Sequence, residues 1–256
     1  MFRVTIDDKY IVNDNGTSDG TQIKYLYEGY WYKLDRYGGE GLAEYIASIL
    51  LRNSNLQSDE YVCYEQGLVN GRAACRSASF LKSKDESFIT LYRLYHNVYG
   101  KNLAEVTSGM QLEDRVKLVL DFAKEYTGLD LRRYLANTFA IDRIILNEDR
   151  HFNNLGVILT NDTFREAPIF DNGKSLLVGN RSYGRFDSIE EKVKKVVARP
   201  FSGSHEWQFE FFKEYCDIEF DVPKILKELG ELEQTSEVEV AIFQVKKYLT
   251  LHQPRP

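Results

Sequence analysis

The sequence predicts an α+β fold of two lobes, strand-rich at the amino terminus and helical beyond it. Three observations carry that expectation. Up to about residue 90, short runs rich in Tyr, Phe, Val and Ile alternate with Gly-, Asn- and Asp-rich turns, as strands joined by tight turns do. From Leu112 the period changes, and apolar residues recur three and four apart, the spacing of helices. A polar stretch, Asn147 to Asn154, then interrupts the helical pattern ahead of a second hairpin-like run. The lobes are expected at residues 1–94 and 95–256.

In chain order, residues 13–20 are polar and turn-rich. Lys24–Gly29 and Tyr30–Leu34 read as an aromatic hairpin. Gly38-Gly39 punctuates the chain before a helix over Glu40–Leu51, with Leu42, Ile46, Ile49 and Leu50 on one face. Tyr61–Glu65, Gly71–Arg76 and Ser87–Tyr92 read as further strands of the small lobe, with a hinge near Leu91–His96. A helix from Leu112 ends at Gly128, whose achirality suits a left-handed stop. Asp130 is placed to cap a second helix that runs to Leu146. Leu155–Leu159 and Phe164–Phe170 then read as two strands about the turn Asn161-Asp162. Residues 179–204 are irregular, apart from a solvated helix at Glu190–Lys195. Short helices are expected at Trp207–Tyr215 and Pro223–Leu229, and a longer one at Glu237–Leu251.

The chemistry concentrates where the helical pattern breaks. Asp149 and Asn154 lie five residues apart, and Asp171 follows 17 residues after Asn154. A hairpin over 155–170 would return Asp171 beside Asn154. Phosphoryl transfer from ATP needs a carboxylate to orient the attacking hydroxyl and oxygen ligands for Mg²⁺. Protein kinases set an Asp and an Asn at this spacing in one loop, with a second Asp beyond a hairpin. In that frame Asp149 is the catalytic base, and Asn154 and Asp171 are the metal ligands. Asp149 alone would read as an ordinary cap; the ordered set is far more specific. A two-lobed protein-kinase-like fold follows.

The remaining parts of such a site have candidates. Residues Gly16 to Thr21 form the candidate phosphate loop, including Thr17, Ser18, Gly20 and Thr21. Lys33, flanked by Trp31 and Tyr32 and followed by a helix, is preferred over Lys24 as the phosphate-binding Lys. Glu44 is preferred over Glu40 as its partner on the helix. His151 either touches the γ-phosphate or braces the loop. Asp142, a carboxylate in an apolar stretch, needs a partner and is expected to support the catalytic loop.

Asp149-Arg150-His151-x-x-Asn154 followed by Phe170-Asp171 resembles the HipA-like serine/threonine kinases of bacteria, including their short CtkA-like branch. The same form is similar to phosphoinositide kinases. In eukaryotic protein kinases His and Arg precede the Asp; here they follow it. Asn172-Gly173 stands where those kinases have Phe-Gly. The resemblance runs loosely from Gly16 to Tyr215 and implies a kinase that uses ATP and Mg²⁺ on a protein substrate. It also implies autophosphorylation in the Ser- and Thr-rich phosphate loop. The amino-terminal subdomain of full-length HipA-type toxins is not expected in the few residues before that loop.

Composition narrows the alternatives. With 43% hydrophobic and 28% charged residues the chain is expected to be a globular protein. A net charge of −6 gives no general basic surface for nucleic acid. No apolar run reaches the roughly 18 residues of a membrane span. Three cysteines without metal spacing suit free thiols in a reducing cytoplasm. Two other functions compete with a protein kinase: a phosphoinositide-like or small-molecule kinase, and a nucleotide-binding regulatory module. No basic cluster for an inositol phosphate follows Asp171, and the intact Asp149, Asn154 and Asp171 set argues for activity.

Overall fold

The computed structural model of the chain describes residues 1–12, 22–178 and 187–250. Three of its hairpins close on two-residue turns in which both residues have positive φ: Glu28-Gly29, Asn70-Gly71 and Asn161-Asp162. Such turns match the right-handed twist of the strands they join. The first joins β2 (Lys24–Tyr27) to β3 (Tyr30–Leu34), and the second joins β4 (Glu65–Val69) to β5 (Arg72–Ala78). With β1 (Phe2–Val4) they form a five-stranded sheet in the order β1-β4-β5-β3-β2. Lys24 lies directly opposite Lys33, so the two project from the same face of the sheet.

The segment Tyr61–Tyr64, expected as a strand, is instead an extended link. Val62 N–H donates to Ile169 O at 2.9 Å, and Ile169 N–H donates to Glu60 O at 2.8 Å. The strand proper begins at Glu65, and its sequence signal was the Asn70-Gly71 turn that ends it. A second correction concerns the strand expected at Ser87–Tyr92. β6 (Glu86–Thr90) does not join the five-stranded sheet; it pairs with β7 (Gly156–Thr160), which pairs in turn with β8 (Thr163–Glu166). At Gly156 an added Cβ would lie 2.5 Å from Ile89 O, so only glycine lets β6 approach the chain this closely. Helix α2 (Leu91–Tyr99) follows at once, with the Thr90 hydroxyl accepting from Arg93 N–H at 3.0 Å. Leu91 and Tyr92 are therefore helical, not strand. The Thr90 cap and the spacing of Leu91, Leu94 and Tyr95 were the available signals.

Helix α1 (Glu40–Arg52) buries Ile46, Ile49, Leu50 and Leu51 completely. Each such side chain contributes on the order of 1.5–3 kcal/mol by leaving water. These residues share one core with α2, α4 (Leu112–Thr127) and α5 (Arg132–Ile145). Between α2 and α4 lies the short α3 (Leu103–Thr107). A smaller core under the sheet holds Ile6, Tyr25, Tyr32, Leu34, Val69 and Ala74. Helix α4 stops at Gly128 with φ 75°, and the Asp130 carboxylate accepts from Arg132 N–H at the start of α5. Helix α5 ends at Leu146, left-handed at φ 58°, and delivers the chain to Asn147.

Beyond the second hairpin come α6 (Ile189–Val193), α7 (His205–Phe212), α8 (Val222–Gly230) and α9 (Ser236–Val245). A Ser188–Glu191 capping box starts α6. The last α-helix ends at Val245 and a single wider turn, Lys246–Thr250, continues it, so it is shorter than its apolar pattern implied. No helix among the described residues is long and apolar enough to cross a membrane.

Candidate active site

Strand β3 and helix α1 meet at Lys33. Its Nζ lies 2.9 Å from Glu44 Oε1 and 2.7 Å from Asp171 Oδ1, and all three side chains are largely shielded from water. Glu40, the other carboxylate of this helix near the lysine strand, is engaged elsewhere. Its Oε1 accepts from Arg36 N–H and Tyr37 N–H at the entry to α1. Burial alone would lower the Lys33 ammonium pKa. Asp171 and Glu44 outweigh it and raise the pKa well above the ordinary value. Burial would likewise raise the Asp171 carboxyl, but Lys33, with Lys24 and Arg150, holds it well below the carboxylate range. Glu44 is pushed upward by burial, against the pull of Lys33.

Tyr64 completes this cluster and sequence reading did not single it out. Its hydroxyl accepts from Lys33 Nζ at 3.3 Å and from Asp171 N–H at 3.4 Å. Its own N–H donates to Ser48 Oγ on α1 at 2.8 Å. A lone Tyr in an aromatic-rich lobe carries no local signal of this role.

The loop after α5 supplies the other half. Asn147 Oδ1 accepts from Asp149 N–H at 2.9 Å, and Asn154 Nδ2 donates to Asp149 O at 2.9 Å. The Asn154 amide is thereby fixed with Oδ1 as its remaining acceptor. Asp149 leaves about a third of its side chain open, at 31% exposure. Lys174 Nζ and Arg199 Nη1 approach its Oδ1 to 3.5 and 3.8 Å. Asp149, His151, Asn154, Asp171, Glu44 and Lys24 all line one cleft of about 300 Å³. The Nδ1 of His151 is buried with no hydrogen-bond partner among the described residues. Thr17, Ser18, Gly20 and Thr21 lie outside the described residues.

Arg150 joins the two halves. It is fully buried and pairs with Asp142 through Nε at 2.9 Å and Nη2 at 3.0 Å. Asp142 also accepts from Asn147 Nδ2 at 3.0 Å, so the carboxylate expected to support this loop does contact it. Arg150 further donates to Phe170 O at 2.5 Å and to Asn172 Oδ1 at 2.7 Å. Asn172 N–H donates to Glu44 Oε2 at 2.9 Å. Asn172, at the position of the eukaryotic Phe, thus links Arg150 to Glu44. A continuous polar path runs Asp142–Arg150–Asn172–Glu44–Lys33–Asp171.

The donor set fits a Mg²⁺–nucleotide. Asp171 is kept ionised, and Asn154 Oδ1 is a second hard oxygen in the same cleft. Mg²⁺ is commonly bound by one or two protein oxygens plus phosphates and waters. Among the described residues no cluster of three or more His, Cys, Asp or Glu forms an all-protein metal cage.

The fold is two-lobed and protein-kinase-like. It is similar to the Helicobacter pylori proinflammatory kinase CtkA, with TM-score 0.60 at 15% identity, covering 93% of this chain and 90% of that one. It is also similar to HipA of Shewanella oneidensis MR-1, solved with HipB and its operator DNA. There the TM-score is 0.51 at 11% identity, covering 96% of this chain and 67% of that one. The architecture is therefore HipA- and CtkA-like. No protein-family model and no curated protein matches the sequence.

Proposed function

We propose that the chain is a serine/threonine protein kinase that uses ATP and Mg²⁺. The observation that carries this reading is Lys33, paired with Glu44 and Asp171 beside the cleft that Asp149 and Asn154 also line. In the proposed reaction Asp149 accepts a hydrogen bond from the acceptor hydroxyl and takes its proton as the oxygen attacks the γ-phosphorus of ATP, whose bond to the β,γ-bridging oxygen breaks as ADP leaves. Lys33 neutralises phosphate charge, and Glu44 holds Lys33 in place. Asn154 and Asp171 would hold the metal, which would supply positive charge against the phosphates there. His151 faces the same cleft, suited to bracing the loop or meeting the transferred group. Residues 1–94 act as the nucleotide lobe and 95–256 as the acceptor lobe. Thr17, Ser18, Gly20 and Thr21 form the phosphate loop and include the site of self-phosphorylation.

The test is incubation with Mg²⁺ and γ-labelled ATP, alone and with cell lysate. Label on protein serine or threonine supports the proposal. Label in the lipid phase or on a small molecule replaces it with the phosphoinositide-like alternative, and no label at all leaves a nucleotide-binding module. Phosphate within residues 13–24 of wild type, but not of Asp149→Ala, establishes the self-phosphorylation.

A further inference from the structure

Arg199 stands beside the base on a loop that is held unusually firmly. Gln208, on α7 and fully buried, clamps that loop from both ends of its amide. Its Oε1 accepts from Phe201 N–H at 3.0 Å, and its Nε2 donates to Arg199 O at 2.9 Å. Arg115 Nη1 donates to Phe201 O at 2.9 Å, and Ala198 N–H donates to Gly203 O at 3.0 Å. The Phe201 ring is buried against Phe152 of the catalytic loop, with centroids 5.6 Å apart. The Arg199 main chain is thus fixed relative to Asp149, while its side chain remains 54% exposed.

The guanidinium reaches the base loosely. At 3.8 Å, Arg199 Nη1 is beyond hydrogen-bond distance of Asp149 Oδ1, and Lys174 shares that oxygen at 3.5 Å. Lys174 is tied to the base from the other side, since Glu148 N–H donates to its carbonyl at 3.0 Å. A carboxylate that must take a proton from an acceptor is flanked by two half-exposed cations, neither in close contact with it. An acceptor bringing its own anion next to its hydroxyl would engage Arg199 at short, bidentate range and leave Asp149 free for that hydroxyl.

We propose that Arg199 is a specificity-determining residue of this site, selecting serine or threonine acceptors flanked by carboxylate side chains. The inference rests on the kinase reading and names its substrate class. Its position fits: Arg199 lies between α6 and α7 and approaches Asp149, whereas Lys33 pairs with Asp171.

The experiment uses the full chain, Mg²⁺-ATP and three serine peptides of one length, flanked by Glu, Ala or Lys. Wild type should give kcat/KM in the order Glu, Ala, Lys, with about tenfold or more between the extremes, as one well-placed charge pair supplies. Arg199→Glu should reverse the order, Arg199→Ala should flatten it, and Arg199→Lys should restore its direction. The KM for ATP should stay within about twofold in each variant, since the change is confined to acceptor recognition. The same loss for all three peptides, or an unchanged order in Arg199→Glu, would overturn the proposal by assigning Arg199 to the phosphoryl group or to structure. Peptide labelling without flank preference in wild type overturns it while leaving the kinase reading intact. No labelling of any acceptor, including the chain itself, removes both.

Discussion

Arg150 is a charged side chain with no access to water, tolerable only because Asp142, Asn172 and two carbonyl oxygens satisfy it. Removing one member of the pair strands the other. Arg150→Met or Asp142→Leu alone should cost about 3–5 kcal/mol, whereas the double variant should recover much of that. Urea unfolding of the four proteins checks it, and additive losses would mean that the pair is not coupled. His205 offers a pH readout. Burial pushes its imidazole down to about 4, against the opposing pull of Asp142 and Glu206. The unfolded chain takes up a proton below about 6.5 that the folded chain refuses until about 4, so stability falls as pH drops between those values. The loss should reach about 3 kcal/mol at pH 4. Compared with wild type, His205→Gln should show a correspondingly shallower decline in urea midpoint between pH 7 and 4, and identical slopes would contradict this. At this scale the spacing of Asp149, Asn154 and Asp171 was legible because consecutive loop and hairpin residues carry it. Tyr64, Asn172 and Arg199 were not, because their partners lie 31, 128 and 50 residues away and no local pattern marks them.

The hairpin β7–β8 is the element that returns Asp171 towards Asn154. Its turn uses Asn161 and Asp162 at φ 43° and 64°, a conformation in which glycine is freer. Asp162→Gly should therefore stabilise the chain by about 0.5 kcal/mol, read as a higher urea midpoint with unchanged slope. Gly156→Ala should act in the opposite sense. Its methyl would press on Ile89 O, costing about 1–3 kcal/mol as β6 and β7 separate. Unchanged stability in Gly156→Ala would mean that the β6 approach is not tight. The hairpin, both long helices and the β2–β3 pair could be read from sequence because turn residues and apolar period agree there. The segment 61–64 and the start of α2 were misread as strand. Their Tyr, Val and Thr content suggests strand, while an interlobe bridge in one case and a Thr90 cap in the other decide the outcome.

At the scale of the molecule, α1 belongs by packing to the core of the helical lobe, although its Glu44 serves a Lys on the small-lobe sheet. The helix is thereby anchored in that core, and Asn172 adds a main-chain tether to Glu44. The duties proposed for Asp149 and Asp171 are separate, and substitution can distinguish them. Asp171→Ala should weaken Mg²⁺-ATP binding about tenfold or more in a calorimetric titration, since the proposed metal ligand is lost. Unchanged affinity would remove Asp171 from the metal site. The most direct measurement is transfer of labelled phosphate from ATP to protein in the presence of Mg²⁺, wild type against Asp149→Ala, with nucleotide affinity measured on both. Wild type should transfer label, and Asp149→Ala should fall by about a hundredfold or more while binding Mg²⁺-ATP within a few-fold of wild type. No transfer by wild type, or a rate in Asp149→Ala above about a tenth of it, would contradict the assignment of Asp149 as the base.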